Sequence, residues 1–249
     1  MGEQTSPALK RTALVTGASS GIGRAIAVRL AADGYAVLAL ARNREALARL
    51  ADEKAAEPVV ADLSDPASLD RALQGRPVDV LVNNAGLLTT KGPFHEIPPE
   101  AIGPHVATNV TGPLHLTRLV LPGMVQRRRG HVVFITSIVA RAPHPDLALY
   151  AATKACLAHF SDSLRCDLLG TGVRVTDVAP GRVETELYRD ALDEAGRRAL
   201  YEGFRNLTPE DVAGTIASIL ALPDHVDVSR VEINPTEQAA GGSRMAPKR

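Results

Sequence analysis

The sequence predicts a doubly wound α/β fold: a single domain built on a mostly parallel seven-stranded sheet with helices on both faces. Three observations carry this. Short apolar runs alternate with longer helical patterns along the chain, as in successive βαβ units. The strand-like runs are continuously apolar rather than alternating, which predicts burial on both faces. The chain, at 249 residues, suits one domain of this class, and neither a linker nor an internal repeat divides it.

In chain order, Thr12–Thr16 is the first strand-like run, stopped by Gly17, and Gly21–Asp33 is the first helix, closed by Gly34. Ala36–Ala41 and Pro58–Ala61 read as the next strands, separated by a helix over Arg44–Lys54. Pro66–Gln74 is the third helix. Strands at Val78–Val82 and His131–Thr136 follow, with a long helical stretch between them, about Pro99–Arg129. A helix over about Leu149–Leu169 precedes the strand Val173–Val178. Helical patterns over about Glu184–Gly203 and Pro209–Leu222 then lead to the last strand, Arg230–Ile233. Thr208-Pro209-Glu210-Asp211 opens the last helix with a capping hydroxyl, proline at the first helical position and first-turn acids. Right-handed crossovers place ligands beyond the carboxyl ends of the strands. The domain is expected over residues 12–236, with 1–11 a flexible N-terminal segment and 237–249, which holds Gly241, Gly242 and Pro247, an irregular tail.

Composition narrows the partners. Twenty-eight Lys and Arg balance 28 Asp and Glu, so no global field attracts nucleic acid or an anionic membrane, and a small molecule is the expected partner. The run Arg127-Arg128-Arg129 before Gly130 fits the dipole at a helix end better than a nucleic-acid patch, because no aromatics interleave. No apolar run approaches the roughly 18 residues of a spanning helix, and Met1–Arg11 lacks the apolar segment of a signal peptide; a cytoplasmic protein is expected. Cys156 and Cys166 fall on different faces of one helical pattern and read as packed thiols, and no Cys/His cluster has zinc spacing. With four Phe, four Tyr and no Trp, the core must be aliphatic, which singles out each tyrosine for inspection.

The first chemistry-bearing motif is Thr16-Gly17-Ala18-Ser19-Ser20-Gly21-Ile22-Gly23, between the first strand and the first helix. Glycines there let the backbone turn tightly and approach a pyrophosphate, whose charge is stabilised by free N–H groups at the helix start. The spacing Gly-x-x-x-Gly-x-Gly differs from the commoner dinucleotide fingerprint. The second strand bears on which nucleotide binds. Arg42 stands nineteen residues after Gly23, close to where an acid would bind the ribose 2′-hydroxyl of NAD, and no Asp or Glu is there. A guanidinium at that place suits a 2′-phosphate, with Ser19 and Asn43 as further donors, so NADP is expected over NAD.

A second motif is Tyr150-Ala151-Ala152-Thr153-Lys154, which sets a phenol and an ammonium on one helix face. A nearby cation favours the phenolate and pulls a tyrosine down from its ordinary value of about 10, making Tyr150 a usable acid or base. Ser137 lies at the carboxyl end of the fifth strand, thirteen residues before Tyr150. Asn83-Asn84-Ala85-Gly86 follows the fourth strand, and Asn109 sits in Thr108-Asn109-Val110-Thr111-Gly112.

Together these five spaced motifs resemble the short-chain dehydrogenase/reductase family, with its Rossmann-like fold, over residues 12 to about 236. The resemblance implies a catalytic tetrad of Asn109, Ser137, Tyr150 and Lys154. Tyr150 would give a proton to a carbonyl oxygen while Ser137 hydrogen-bonds it, Lys154 would hold the nicotinamide ribose and depress the Tyr150 pKa, and Asn109 would anchor a water. It further implicates Ser20 and Ile22 in the turn, and Asp62 and Leu63 around adenine, although Asp62 also reads as a cap of the following helix. Asn83, Ala85 and Gly86 are implicated at the central cleft, and Pro180, Gly181, Val183 and Thr185 at the nicotinamide. The C-terminal third, with Arg174-Val175-Thr176-Asp177, Leu207-Thr208-Pro209 and Glu232-Ile233-Asn234-Pro235, resembles the branch of NADP-dependent 3-hydroxy acid dehydrogenases. That branch implies a small 3-hydroxy acid or its semialdehyde as substrate. It also includes reductases of bulkier carbonyls, and a lid around Leu187 and Tyr188 leaves that reading open.

Arg182, after Pro180-Gly181, departs from the apolar residue common in relatives; it either clamps a substrate carboxylate or points to solvent. Val139, Leu187 and Tyr188 are further candidate substrate contacts, and His144 reads as a surface residue of the loop after Ser137. The apolar faces of the helices about Pro99–Arg129 and Leu149–Leu169 imply a homo-oligomer, tetramer or dimer. A non-catalytic nucleotide sensor on the same fold is the remaining alternative, and the complete tetrad argues against it.

Overall fold

A computed structural model describes residues 10–239 and 244–247. Most of the expected N-terminal segment and several residues of the expected tail, Gly241 and Gly242 included, lie outside the described residues. Seven strands form one sheet: β1 (Thr12–Thr16), β2 (Ala36–Ala41), β3 (Glu57–Val60), β4 (Val80–Asn83), β5 (Gly130–Ile135), β6 (Val173–Pro180) and β7 (Arg230–Ile233). Their order is β3-β2-β1-β4-β5-β6-β7, and every pairing is parallel. The helices are α1 (Gly21–Ala32), α2 (Arg44–Asp52), α3 (Pro66–Leu73), α4 (Ile102–Val106), α5 (Gly112–Gln126), α6 (Ala148–Asp167), α7 (Glu194–Tyr201) and α8 (Pro209–Leu220). The chain leaves β1 toward one edge and returns to place β4 on its other side, so a crevice opens between the carboxyl ends of β1 and β4.

Side chains of each strand alternate between two cores. Ala13, Val15, Val37, Ala39, Val80, Val82 and Val133 pack with α1 and α8, while Leu14, Leu38, Leu81, Val132 and Phe134 pack with α3, α5 and α6. Both cores are aliphatic, as the scarcity of aromatics requires. Phe134 is fully buried and meets Phe160 edge-on at 5.8 Å. No helix among the described residues is long and apolar enough to cross a membrane.

The stretch predicted as one helix over about Pro99–Arg129 is helical without interruption to Gln126 but changes type along its length. A 3₁₀ turn at Pro99–Ala101 leads into α4, then a π-helical turn at Ala107–Thr111, then α5. The cause is local: a regular ladder needs an N–H from residue 113 to the Asn109 carbonyl, and Pro113 has none. Instead Gly112 N–H bonds back to Ala107 O, which widens the turn carrying Asn109. The pattern over Glu184–Gly203 is interrupted, because Thr185 caps a 3₁₀ turn at Glu186–Tyr188 and Asp193 caps α7. The cysteines are exposed rather than packed: α6 buries the stripe through Tyr150, Thr153, Lys154, Leu157, Ser161 and Leu164, and neither Cys156 nor Cys166 falls on it. The described residues of the tail are paired, with an antiparallel bridge between Gln238 and Met245. Arg127 and Arg129 both face Asp79, at 3.5 and 3.6 Å.

At the amino ends of the strands, His131 is buried with Nε2 2.8 Å from the Thr176 hydroxyl. Thr176 spends its own hydrogen on Val228 O at 2.7 Å, so the imidazole donates at Nε2, and Nδ1 is left without a protein partner. Burial, then the nearby Arg174 charge, lower the His131 pKa from 6.5 to about 3. The unfolded chain binds a proton here that the folded chain refuses. Stability present above about pH 6.5 is therefore expected to fall as pH drops toward about 3. His131→Gln should flatten that decline; urea midpoints that fall equally in both proteins between about pH 7 and about pH 5 would refute it.

Candidate active site

The crevice is a cleft of about 1110 Å³ at the carboxyl ends of the strands. At its floor β1 and β4 are joined. Thr16 Oγ1 donates to Val82 O (3.3 Å) and accepts from the backbone N–H of Asn84 and Ala85 (2.9 and 3.0 Å). The Asn84 amide donates to Thr16 O at 2.9 Å. Above this joint the glycine turn takes its shape: Gly17 and Gly21 hold positive φ values of +67° and +51°. A Cβ on Gly17 would meet the Ala85 backbone and Asn84 amide, and one on Gly23 would overlap the Gly17 carbonyl. Ser20, the N-cap of α1, makes no side-chain bond to the first turn, whose N–H groups are thus left for a ligand. The residues present therefore form a cradle fit for a phosphate-bearing group.

Of the sequence-predicted residues, Gly17, Ser19, Ser20, Gly21, Ile22, Arg42, Asn43, Asp62, Leu63, Ala85 and Gly86 line one end of the cleft. Ser137, Val139, Tyr150, Lys154, Pro180, Gly181, Arg182, Val183, Thr185, Leu187 and Tyr188 line the other. Three do not line it. Gly23 is a packing residue beneath the turn. Asn83 is turned into the core, where its amide donates to Thr117 Oγ1 (3.0 Å); Asn84, passed over in the sequence, lines the cleft instead. Asn109 lies behind the wall, its Oδ1 accepting from Leu87 N (2.6 Å) and its Nδ2 donating to Leu87 O and Thr153 Oγ1 (2.9 and 3.1 Å).

At the nucleotide end, Arg42 is exposed and points its charge into open cleft. Asn43 commits its oxygen to capping α2 through Ala46 N (3.0 Å). Asp62 does not cap α3, a role taken by Asp65. Partial burial works to raise the Asp62 carboxyl, but two hydrogen bonds from Ser64 (2.7 and 2.8 Å) and the Arg42 charge bring it below its ordinary value.

At the other end Tyr150 and Lys154 are both buried, and the ammonium stands 5.7 Å from the phenol ring while donating to Ile135 O at 2.7 Å. Burial lowers the Lys154 pKa to about 8, against the raising influence of Asp177. The depression expected for Tyr150 is absent. Burial pushes its pKa up, and the neighbouring Tyr188 and Tyr201 add to the rise, so the phenol holds its proton.

Arg182 is half-buried and lines the cleft. It donates to Leu200 O (2.8 Å) and stacks over Phe204 at 5.3 Å, tying the segment around α7 to the end of β6. Gln238, beyond the expected domain boundary, lines the cleft and accepts from Arg182 N at 2.8 Å. Tyr201 donates to Thr185 O at 3.3 Å. His144 reaches the cleft wall and holds Ala142 O at 2.9 Å. Among the described residues no group of three His, Cys, Asp or Glu is placed to hold a metal ion.

The model of the short chain dehydrogenase family matches residues 11–195. An uncharacterized short-chain type dehydrogenase/reductase, y4eK of Sinorhizobium fredii, is 48% identical over 94% of this chain and 95% of its own length. The NADP-dependent 3-hydroxy acid dehydrogenase YdfG of Salmonella typhi is 39% identical over 92% of this chain and 96% of its own. Among solved structures, the closed form of serine dehydrogenase complexed with NADP+ superposes with a TM-score of 0.90 at 36% identity, covering 95% of this chain and 100% of that one.

The overlap at Gly23 gives a direct test of the cradle. Gly23→Ala must push α1 off the Gly17 turn and should destabilise the protein by about 1–3 kcal/mol. A chemical denaturation curve indistinguishable from the parent would refute the close approach.

Proposed function

The chain belongs to the short-chain dehydrogenase family, and from that premise we propose that it is an NADP(H)-dependent oxidoreductase of a small 3-hydroxy acid or the corresponding semialdehyde. The single observation that carries the reading is the buried, protonated Tyr150 opening with Ser137 and Lys154 onto one cleft whose far end is a glycine cradle with Arg42.

When bound, NADPH supplies a hydride to a carbonyl carbon, or NADP+ takes one from an alcohol. Gly17, Ser19, Ser20, Gly21 and Ile22 would hold the pyrophosphate on backbone N–H groups, and Arg42 the 2′-phosphate. Asp62 and Leu63 flank the adenine end, and Ala85, Gly86, Pro180, Gly181, Val183 and Thr185 the nicotinamide end. Tyr150 Oη delivers a proton to the carbonyl oxygen as negative charge develops there, and Ser137 Oγ donates a hydrogen bond to the same oxygen. A phenol raised by burial is set to donate, which favours carbonyl reduction near neutral pH; oxidation of an alcohol needs the phenolate and is favoured as pH rises. Lys154 carries its charge below about pH 8 and favours that phenolate. Asn109 holds the Leu87 backbone beside Gly86 and Thr153 beside Tyr150, so it shapes the wall rather than meeting substrate. Val139, Leu187 and Tyr188 would contact substrate, while Arg182 fixes the segment that covers it.

The substrate class is supported by YdfG and serine dehydrogenase, which resemble this chain over nearly its whole length. Consumption of NADPH should therefore be fast with semialdehydes and small 3-keto acids, slow with NADH, and abolished in Tyr150→Phe without loss of NADPH binding. Turnover of bulky neutral ketones alone would overturn the small-acid assignment, a preference for NADH would overturn the role of Arg42, and an active Tyr150→Phe enzyme would overturn the proton donor.

A homo-oligomer is the state we favour, a cytoplasmic one. Ile102 and Val106 on α4, with Leu119 and Val125 on α5, are large apolar side chains left exposed in the single chain. Light scattering on the eluting protein should give at least a dimer; a monomer at micromolar concentration would refute this.

A further inference from the structure

Asp177 is a fully buried carboxylate, 0 % exposed, and the chemistry above makes no use of it. It stands in β6 beside Phe134 of β5. One of its oxygens accepts from the Thr136 hydroxyl, and the other pairs with the Arg141 guanidinium. Those two partners bracket Ser137. Thr136 immediately precedes it, and Arg141 follows the 3₁₀ turn Ile138–Ala140, to which it is tied by its own N–H to Ile138 O at 3.1 Å.

We infer that Asp177 is a positioning residue: by gripping Thr136 and Arg141 together it closes the chain around Ser137 into a clasp that fixes the serine hydroxyl relative to Tyr150. The inference rests on Ser137 acting as the donor to the developing oxyanion. Among the described residues the Ser137 hydroxyl makes a single hydrogen bond, a long one accepted from Val139 N at 3.3 Å, so its position follows chiefly that of its backbone. A donor to a developing oxyanion must be placed to within a few tenths of an ångström, which calls for a rigid support. An ion pair with one buried partner is weak support for stability, since desolvation of the carboxylate consumes much of its Coulombic gain. Its placement on both flanks of one functional hydroxyl gives it another role. The same carboxylate also favours the ammonium form of Lys154, which fastens Ile135 just ahead of Thr136.

Asp177→Asn keeps the shape and an acceptor for Thr136 but removes the charge that holds Arg141. Arg141→Gln removes the opposite partner, and Arg141→Lys restores a cation. The clasp is read without reference to activity, by hydrogen exchange of the amides of residues 137–142 in the unliganded protein. That exchange should rise about ten-fold or more in Asp177→Asn and Arg141→Gln, with the rest of the sheet unchanged. In the same variants kcat should fall about ten-fold or more while the affinity for NADPH stays within about two-fold, and Arg141→Lys should recover much of the loss. Unchanged exchange overturns the clasp, and faster exchange with unaltered kcat overturns its role in positioning. A parallel loss of kcat and NADPH affinity with a lowered melting temperature means general loosening and overturns it too. Should Asp177→Asn fail to fold, the Arg141→Gln and Arg141→Lys pair carries the same test. Ser137→Ala, measured alongside, separates the two readings: full activity there refutes Ser137 as donor, whereas the exchange result judges the clasp by itself.

Discussion

The joint between β1 and β4 is the constraint on which the site depends. Where the strand order of a parallel sheet reverses, the connections leave neighbouring strands toward opposite edges, and both strands there run out of ladder partners. Thr16 and Asn84 satisfy those groups across the gap, side chain to backbone in both directions. With the strand ends joined, the next residues on each side, Gly17 and Ala85, are forced so close that only glycine fits at position 17. The same closeness carries α1 down onto the turn and leaves no volume for a side chain at Gly23. The phosphate cradle is thus a consequence of how the sheet solves its own hydrogen-bonding problem.

At the opposite end of the cleft the governing constraint is burial. Tyr150 and Lys154 share one helix face, and taking both out of water disfavours both charges, raising the phenol and lowering the ammonium. Proximity of a cation is the argument available from spacing alone, and it points the other way for the tyrosine. Desolvation wins here, and the neighbouring Tyr188 and Tyr201 add to it by disfavouring a further negative charge. The lining is consequently that of an acid at rest.

Much of this is legible in the chain. All seven strands lie within a few residues of where apolar runs place them; the five inner ones, buried on both faces, write a continuous signal, while the edge strands β3 and β7 are largely exposed. The glycine turn, Arg42 and Ser137, which follow strand ends, and Tyr150 and Lys154, which share one face of α6, meet in one cleft. What escapes has no periodic signature. The π-helical turn ahead of α5 goes with the missing N–H at Pro113, which a hydrophobic pattern does not register. The choice between Asn83 and Asn84 depends on which way the chain turns after its last ladder bond. Gln238 reaches the cleft by a fold of the chain after the last strand, and Asp177 is an acid in a strand that also carries Arg174 and Thr176, its partners set by tertiary structure. The cysteines depart from expectation for the same reason, since the buried stripe of α6 is narrower than its composition suggests.

The distribution of aromatic residues has an optical consequence. The chain contains no Trp and four Tyr. Three of the four, Tyr150, Tyr188 and Tyr201, are gathered around the cleft and influence one another's ionisation, while Tyr35 alone packs elsewhere, against the α1 side of the sheet. Ultraviolet emission from this protein therefore originates chiefly at its working centre, undiluted by indoles. The native chain comes with its own fluorophore in place, and occupancy of the cleft beside Tyr150 and Tyr188 can be followed spectroscopically without attaching a dye.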